Sequence, residues 1–497
     1  MQKSFFKNIV FLLFLNLLIK PFWLLGVDRE VQNIVGNQEY GIFFSIYNFA
    51  YLFYILLDLG ITNFNNRNIA QNNHLLSKHF VGISQVKLFL SLLYAVVIFL
   101  VGWVIGYGGR ELELLAWCGL NQILLSFILY LRSNISGLLL FKTDSFLSVF
   151  DRVIAICICS FLIWSGVIPR QEFNILWYVY AQTFAYGCTL LLALFIVIRH
   201  AGKLTFSINL PFFIMILKKS FPYALLVLLM SFYNRLEPVL LERLLDDGGY
   251  QAGVYGCAFR LLDAGNNISY LFSVILLPLF AAIIKKGEDI SELVRQSFTF
   301  IIAMTGIAAV LCICYGEDIM RLMYTINESE TIMHYEERIH QTSLVLSILM
   351  GSFVAVSTTY IFGTLLTANG NLKYLNIVAS CGVVINLGLN FVFIPSFQSV
   401  GAACTSLCVQ AITAVIQFFI AKKIFCFDLG KHFGWHLFLF FVLVISSAIA
   451  IRHLPMMWIY RLIISLIVSV IFLFVTKLLT LKELLIFVPR QEKNAER

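Results

Sequence analysis

Charge is what this chain has least of. Only 12% of its 497 residues are Asp, Glu, Lys or Arg, and 60% are hydrophobic. Soluble proteins average about 25% charged residues, so a soluble globular chain is excluded. Metal-binding and disulfide patterns are also missing. None of the eleven cysteines forms a CxxC pair, and all lie in apolar segments, as Cys157, Cys159, Cys312 and Cys314 do. Residues two apart on a helix point to different sides, so these thiols read as small packing groups. The net charge of +8 comes from residues scattered over short loops, which excludes a nucleic-acid surface. No A-x-A cleavage site follows the N-terminal "MQKSFFKNIVFLLFLNLL", so it reads as a first span rather than a signal peptide. Nothing calls for a cofactor.

What is present is a series of continuous apolar runs about 20 residues long, enough to cross a hydrocarbon core of about 30 Å. A membrane β-barrel would show alternating segments of about 10 residues instead. The pattern predicts an all-α polytopic membrane protein with about 14 transmembrane helices. The expected spans include 5–26, 42–62, 221–245, 250–284, 372–395 and 400–424. The run 250–284 is too long for one straight span and predicts a tilt, a kink near Pro278 or an end outside the membrane. Loops alternate in sign. One set carries Lys142, Lys203, Lys286 and Lys422. The other carries Asp28, Glu30, Glu39, Glu113, Asp246 and Glu336. By the positive-inside rule both termini are cytoplasmic, as an even number of spans also requires.

The stretch "SFYNRLEPVLLE", residues 231–242, puts Arg235, Glu237 and Pro238 inside an apolar run. An arginine at the bilayer centre costs from about 2.5 to more than 10 kcal/mol. Lys20, Lys87, Arg132 and Arg260 also fall within spans, as do Asp58 and Asp263. Lys87, one turn from the cytoplasmic edge, reads as a snorkelling side chain. Asp58 is expected to pair with Arg132 or Arg67. Lys20, Arg235 and Arg260 are expected in a broad central layer, too deep to snorkel. Arg260 and Asp263, three apart, share a helix face, and Pro21, Pro222 and Pro238 let their helices bend. Two readings stay open: structural pairing alone, or a water-lined passage with surplus positive charge. The second implies an anionic ligand, a phosphate or diphosphate, because guanidinium groups fork onto phosphate oxygens. Lys20, Arg132, Arg235 and Arg260 are its candidate binding residues. Asp58, Glu237 and Asp263 are the candidate coupling or charge-pairing residues.

The stretches "ILLDLG" (55–60) and "RLLDAG" (260–265) suggest two related halves. The expected domains are 1–200 as an N-terminal lobe, 201–425 as a second, and 426–497 as two trailing helices and a tail. Paired lobes are a common transporter plan, with the substrate between them.

Three blocks carry a family resemblance. The first is "EYG", "LLDLG" and "NNRNIA" between residues 39 and 70. The second is "YNRLEPVLLERL" followed by "AGVYGCAFRLLDAGN". The third is the block from "ANGNLKYLNIV" to "GAACTSL", with Asn386, Asn390, Pro395 and Gly401. In this order they resemble O-antigen-type flippases, polysaccharide biosynthesis proteins of the multidrug/oligosaccharidyl-lipid/polysaccharide exporter superfamily. The resemblance implies two six-helix lobes in a V shape plus two C-terminal helices. It also implies alternating access, and transfer of an undecaprenyl-diphosphate-linked oligosaccharide across a bacterial inner membrane. The expected partners are that lipid-linked substrate, membrane lipid, a coupling ion (H+ or Na+) and the polysaccharide polymerase machinery, with no covalent chemistry. The alternatives are an ion-coupled drug or metabolite exporter of the same superfamily, and a membrane-embedded oligosaccharide polymerase or ligase. The latter class tends to carry a large outer loop, whereas loop 326–342 is short, with only His334 and His340 of note.

Overall fold

The computed structural model describes residues 18–476 and Leu478, except residues 20, 73–74, 168, 202–209, 327–329 and 431. Lys20, Lys203 and both termini therefore lie outside the described residues. Every regular element among the described residues is helical. A π-helical segment, Trp23–Asp28, leads into α1 (Arg29–Leu52). The next helices are α2 (Ile61–Gln71), α3 (Leu75–Val104), α4 (Gly109–Gly137), α5 (Phe141–Trp164) and α6 (Ile175–Ala201). Then come α7 (Leu210–Arg235), α8 (Glu237–Leu244), α9 (Gly248–Lys286), α10 (Ser291–Met323) and α11 (Ile332–Ala368). The series ends with α12 (Leu372–Phe425), α13 (Phe433–Arg452) and α14 (Trp458–Val475).

Ten of these helices are long and apolar enough to cross a membrane, and the pair α7–α8 makes an eleventh candidate, bent by 48°. The bend falls at Leu236, two residues before Pro238, which has no N–H to continue the helical ladder. Helix α12 supplies two of the expected spans. It breaks at Gln398 (φ 51°, ψ −132°), just after Pro395. The chain turns so tightly there that a β-carbon at Gly401 would lie 2.2 Å from the Phe393 carbonyl oxygen. Helix α9 runs for 39 residues through Pro278. The chain is thus an all-α, multi-pass membrane protein.

Helix α3 shows how its sequence suits lipid. Leu88, Leu92, Val96 and Trp103 form one exposed stripe, with Trp103 72% exposed. Lys87, Ser91, Tyr94 and Ile98 form the opposite, buried one. The polar groups point inward and the apolar groups outward, the reverse of a helix on a soluble domain.

Two compact units divide the chain. The first comprises Met1–Arg260, Tyr324–Thr331 and Leu387–Ala402; the second comprises Leu261–Met323, Ile332–Asn386 and Ala403–Arg497. In the first, α1 meets the opening turns of α9 backbone to backbone. A β-carbon at Gly41 would lie 1.8 Å from the Gly249 carbonyl oxygen, and one at Gly253 would lie 2.2 Å from that of Asn37. Gly249 and Gly253 make the small-xxx-small spacing that lets membrane helices approach closely. In the second unit, α13 and α14 dock on α10 through Phe440, Val444, Ala448 and Leu473. The Tyr315 and Ser465 hydroxyls also bond there at 2.9 Å.

The two similar stretches differ locally. "RLLDAG" lies inside α9, whereas "ILLDLG" is a 3-10 turn, Tyr54–Leu57, ending in positive φ at Leu59 and Gly60. The helix expected over 42–62 therefore stops at Leu52. Asp58 starts α2 instead, its carboxylate accepting from the Thr62 backbone N–H at 3.2 Å.

Candidate functional site

Gly36 (φ 80°) interrupts α1 and turns its first residues back toward α9. The Gly41–Gly249–Gly253 crossing holds them there, within the first unit. This brings Arg260 against Asp28. Arg260 Nε donates to Asp28 Oδ2 at 2.8 Å, and Nη2 donates to Gln32 Oε1 at 3.0 Å. Nη1 donates to the Tyr324 hydroxyl. The Asp28 carboxylate also accepts from the hydroxyls of Tyr40 at 2.9 Å and Tyr178 at 2.6 Å. Asp28 is 7% exposed and Arg260 3%. This corrects the expectation that Arg260 lines an aqueous passage: its fork is occupied by protein. In the sequence Asp28 belongs to an acidic loop expected on the outer side. The short polar run "GVDREVQN" looks solvated in sequence, yet Val27, Asp28, Val31 and Gln32 are buried.

A second cluster lies on the adjoining face of α1 and is partly open. The Arg235 guanidinium is half-buried, 4.9 Å over the Tyr51 ring and 5.3 Å over Phe259. Both distances are within cation–π range, about 6 Å. It also donates to Asn48 Oδ1 at 3.3 Å. Nothing in the sequence sets Arg152, next to Asp151, apart from other charges. It lies 5.3 Å over Trp23 and 5.7 Å over Tyr186. Trp23 in turn stacks on Tyr178 at 5.4 Å, so this cluster adjoins the buried Asp28–Arg260 pair.

The other predicted residues do not join it as expected. Lys87 does not snorkel. It is fully buried, donating to Asp58 Oδ1 at 2.9 Å and the Leu57 carbonyl at 3.0 Å. Asp58 therefore pairs with Lys87 rather than with Arg132, because the 3-10 turn presents its carboxylate to α3; the Arg67 side chain lies outside the described residues. Arg132 instead donates to Asp144 Oδ1 at 2.7 Å. Glu237 is fully buried at the α7–α8 bend. Asp263 is half-buried, in the part of α9 that belongs to the second unit. Lys20 lies outside the described residues. Among those residues, no group of three or more His, Cys, Asp or Glu could hold a metal ion.

Residues 5–284, more than half of the chain, match the family described as "Polysaccharide biosynthesis protein". The chain belongs to that family. No curated sequence is significantly similar to it. Its fold is that of the exporter superfamily. An inward closed conformation of the lipid II flippase MurJ has a TM-score of 0.67 at 14% identity, covering 95% of this chain and 96% of that one. An inward-facing multidrug resistance MATE family transporter has a TM-score of 0.61 at 14% identity, covering 81% and 94%. A superfamily transporter from Pyrococcus furiosus has a TM-score of 0.57 at 16% identity, covering 84% and 94%. At such identities the likeness concerns the fold alone. In this member of the polysaccharide biosynthesis family, the Arg235 guanidinium lies half-buried over the Tyr51 and Phe259 rings within the first unit.

Proposed function

We propose that the protein is a flippase. It moves an undecaprenyl-diphosphate-linked oligosaccharide, a repeat unit of O-antigen, capsule or exopolysaccharide, from the cytoplasmic to the periplasmic leaflet of the inner membrane by alternating access. Family membership supports polysaccharide assembly as the setting. The observation that carries the reading is Arg235, a half-buried guanidinium held face-on by aromatic rings at the end of a membrane helix. Stacking fixes the plane of a guanidinium, and a guanidinium edge can fork onto a phosphoryl group. The paired Asp58–Lys87 and Asp28–Arg260 residues hold the fold. H+ or Na+ as coupling ion, and contact with polymerase machinery, belong to the same proposal.

Reconstitution with labelled polyprenyl-diphosphate oligosaccharide tests it. Arg235→Ala should lower transport about ten- to a hundredfold, the loss of one charge-assisted fork, with unchanged abundance. Arg235→Lys should retain part of the activity, since charge remains while the fork is lost. Full transport by Arg235→Ala would remove the site from the reading. The drug-exporter alternative has the same fold, so the same vesicles should be offered cationic drugs. Drug transport without lipid transfer would replace the flippase reading.

The proposed orientation follows from the loop charges. In a background lacking the native cysteines, cysteine at Glu113 or Glu336 should react with an impermeant thiol reagent from outside. Cysteine at Lys203 or Lys286 should react only after permeabilisation. Outside labelling at position 203 would invert the topology.

A further inference from the structure

The second half of α1 is almost fully enclosed. From Phe43 to Leu52 every residue is buried except Tyr47 and Tyr51. Residues four apart on a helix are neighbours on one face, so these two form a single narrow stripe. Tyr54, the first residue of the 3-10 turn, is also half-buried and extends it. Its ring stacks on that of Tyr51, with centroids 5.6 Å apart and planes within 7°. A tyrosine hydroxyl is both donor and acceptor, and it usually finds a partner when buried. Those of Tyr40, Tyr94, Tyr130 and Tyr178 in the first unit all do. The hydroxyls of Tyr47, Tyr51 and Tyr54 make no hydrogen bond among the described residues, and none is sealed from the surface. Lipid is a poor occupant for such a stripe. Hydrocarbon leaves a hydroxyl unsatisfied, and the lipid-facing stripe of α3 carries Leu, Val and Trp instead.

We infer that Tyr47, Tyr51 and Tyr54 form a carbohydrate-binding stripe that takes sugar residues of the transported headgroup. A sugar ring carries hydroxyls that both donate and accept, so each can bond a tyrosine hydroxyl in either sense. Arg235 lies 4.9 Å over the Tyr51 ring, at the middle of the stripe. In a lipid-linked oligosaccharide the first sugar is bonded directly to the diphosphate, so the sugars lie beside whatever group holds the phosphate. The inference rests on the flippase reading above and adds to it the residues that recognise sugar.

The test is competition binding to the purified full-length protein in detergent. Undecaprenyl-diphosphate oligosaccharide extracted from the native host, and bare undecaprenyl diphosphate, each displace a radiolabelled sample of the oligosaccharide lipid. The parent should prefer the sugar-bearing lipid by about tenfold or more, the product of hydrogen bonds worth about two- to tenfold each. Replacing all three tyrosines by Phe keeps the rings and removes only the hydroxyls. That variant should lose the preference while its affinity for bare diphosphate changes by less than about threefold. It should melt with the parent, because the hydroxyls bond no described residue. Tyr47→Phe and Tyr54→Phe alone should each lower the preference by about two- to tenfold, and they serve as the readout if the triple variant is poorly folded. A parent that binds the two lipids equally, a preference untouched in the Phe variants, or equal weakening of both lipids overturns the sugar assignment while leaving the flippase reading in place. A parent protein that binds neither lipid overturns both.

Discussion

Arg260→Ala should lower stability by about 3–5 kcal/mol, the cost of stranding one partner of a buried ion pair. Asp28 would keep two tyrosine hydroxyls but lose its only cation among the described contacts. Gln32 and Tyr324 would each lose a partner as well. Hydrophobic replacement of both members of a buried pair is often neutral or stabilising. Asp28→Asn combined with Arg260→Met should therefore recover much of the loss. Thermal unfolding of the purified protein in detergent measures both. A cation held for a substrate behaves otherwise: its removal costs little stability and a second deletion rescues nothing. If Arg260→Ala melts with the parent and loses only transport, Arg260 belongs with Arg235 as a binding residue.

Gly41→Leu should be at least as damaging. Its β-carbon alone would sit 1.8 Å from the Gly249 carbonyl oxygen and 2.5 Å from the Gly253 backbone nitrogen. Both obstacles are backbone, so no rotamer change relieves the clash. Overpacking a core typically costs about 1–3 kcal/mol, and more where the neighbour cannot move. Separating α1 from α9 would also break the Gln32 bond to the Gly253 carbonyl, 3.0 Å, and the Asp28–Arg260 pair. Little monodisperse protein should survive solubilisation. Gly187→Ala is the control: its β-carbon meets nothing within 4 Å, and Ala is favoured over Gly in a helix by about 1 kcal/mol. That variant should match or exceed the parent in melting temperature. Equal behaviour of the two variants would mean that the close crossing does not hold the first unit together.

The sequence by itself determined the class of this protein, because hydrocarbon constrains composition directly. A span needs about 20 apolar residues, so α3 to α6 and α10 to α14 were legible as runs. Backbone breaks were legible where a residue carries its own constraint. Pro238 marks the bend between α7 and α8, and Pro395 and Gly401 mark the turn within α12. The charges resisted such reading. One arginine in an apolar run looks like another, and burial depends on what the chain brings to it from far away. Arg260 meets Asp28 across 232 positions. Lys87 meets Asp58 because a 3-10 turn replaces the expected helix. Arg152 stands over Trp23 and Tyr186, residues of a π-helical segment and of α6 that no periodicity connects. Tertiary structure alone therefore decided which cations are held by carboxylates and which are held by aromatic faces. A charge buried in a membrane protein is tolerated only by a partner, and apart from neighbours such as Asp151, partners are assigned by packing rather than by position along the chain.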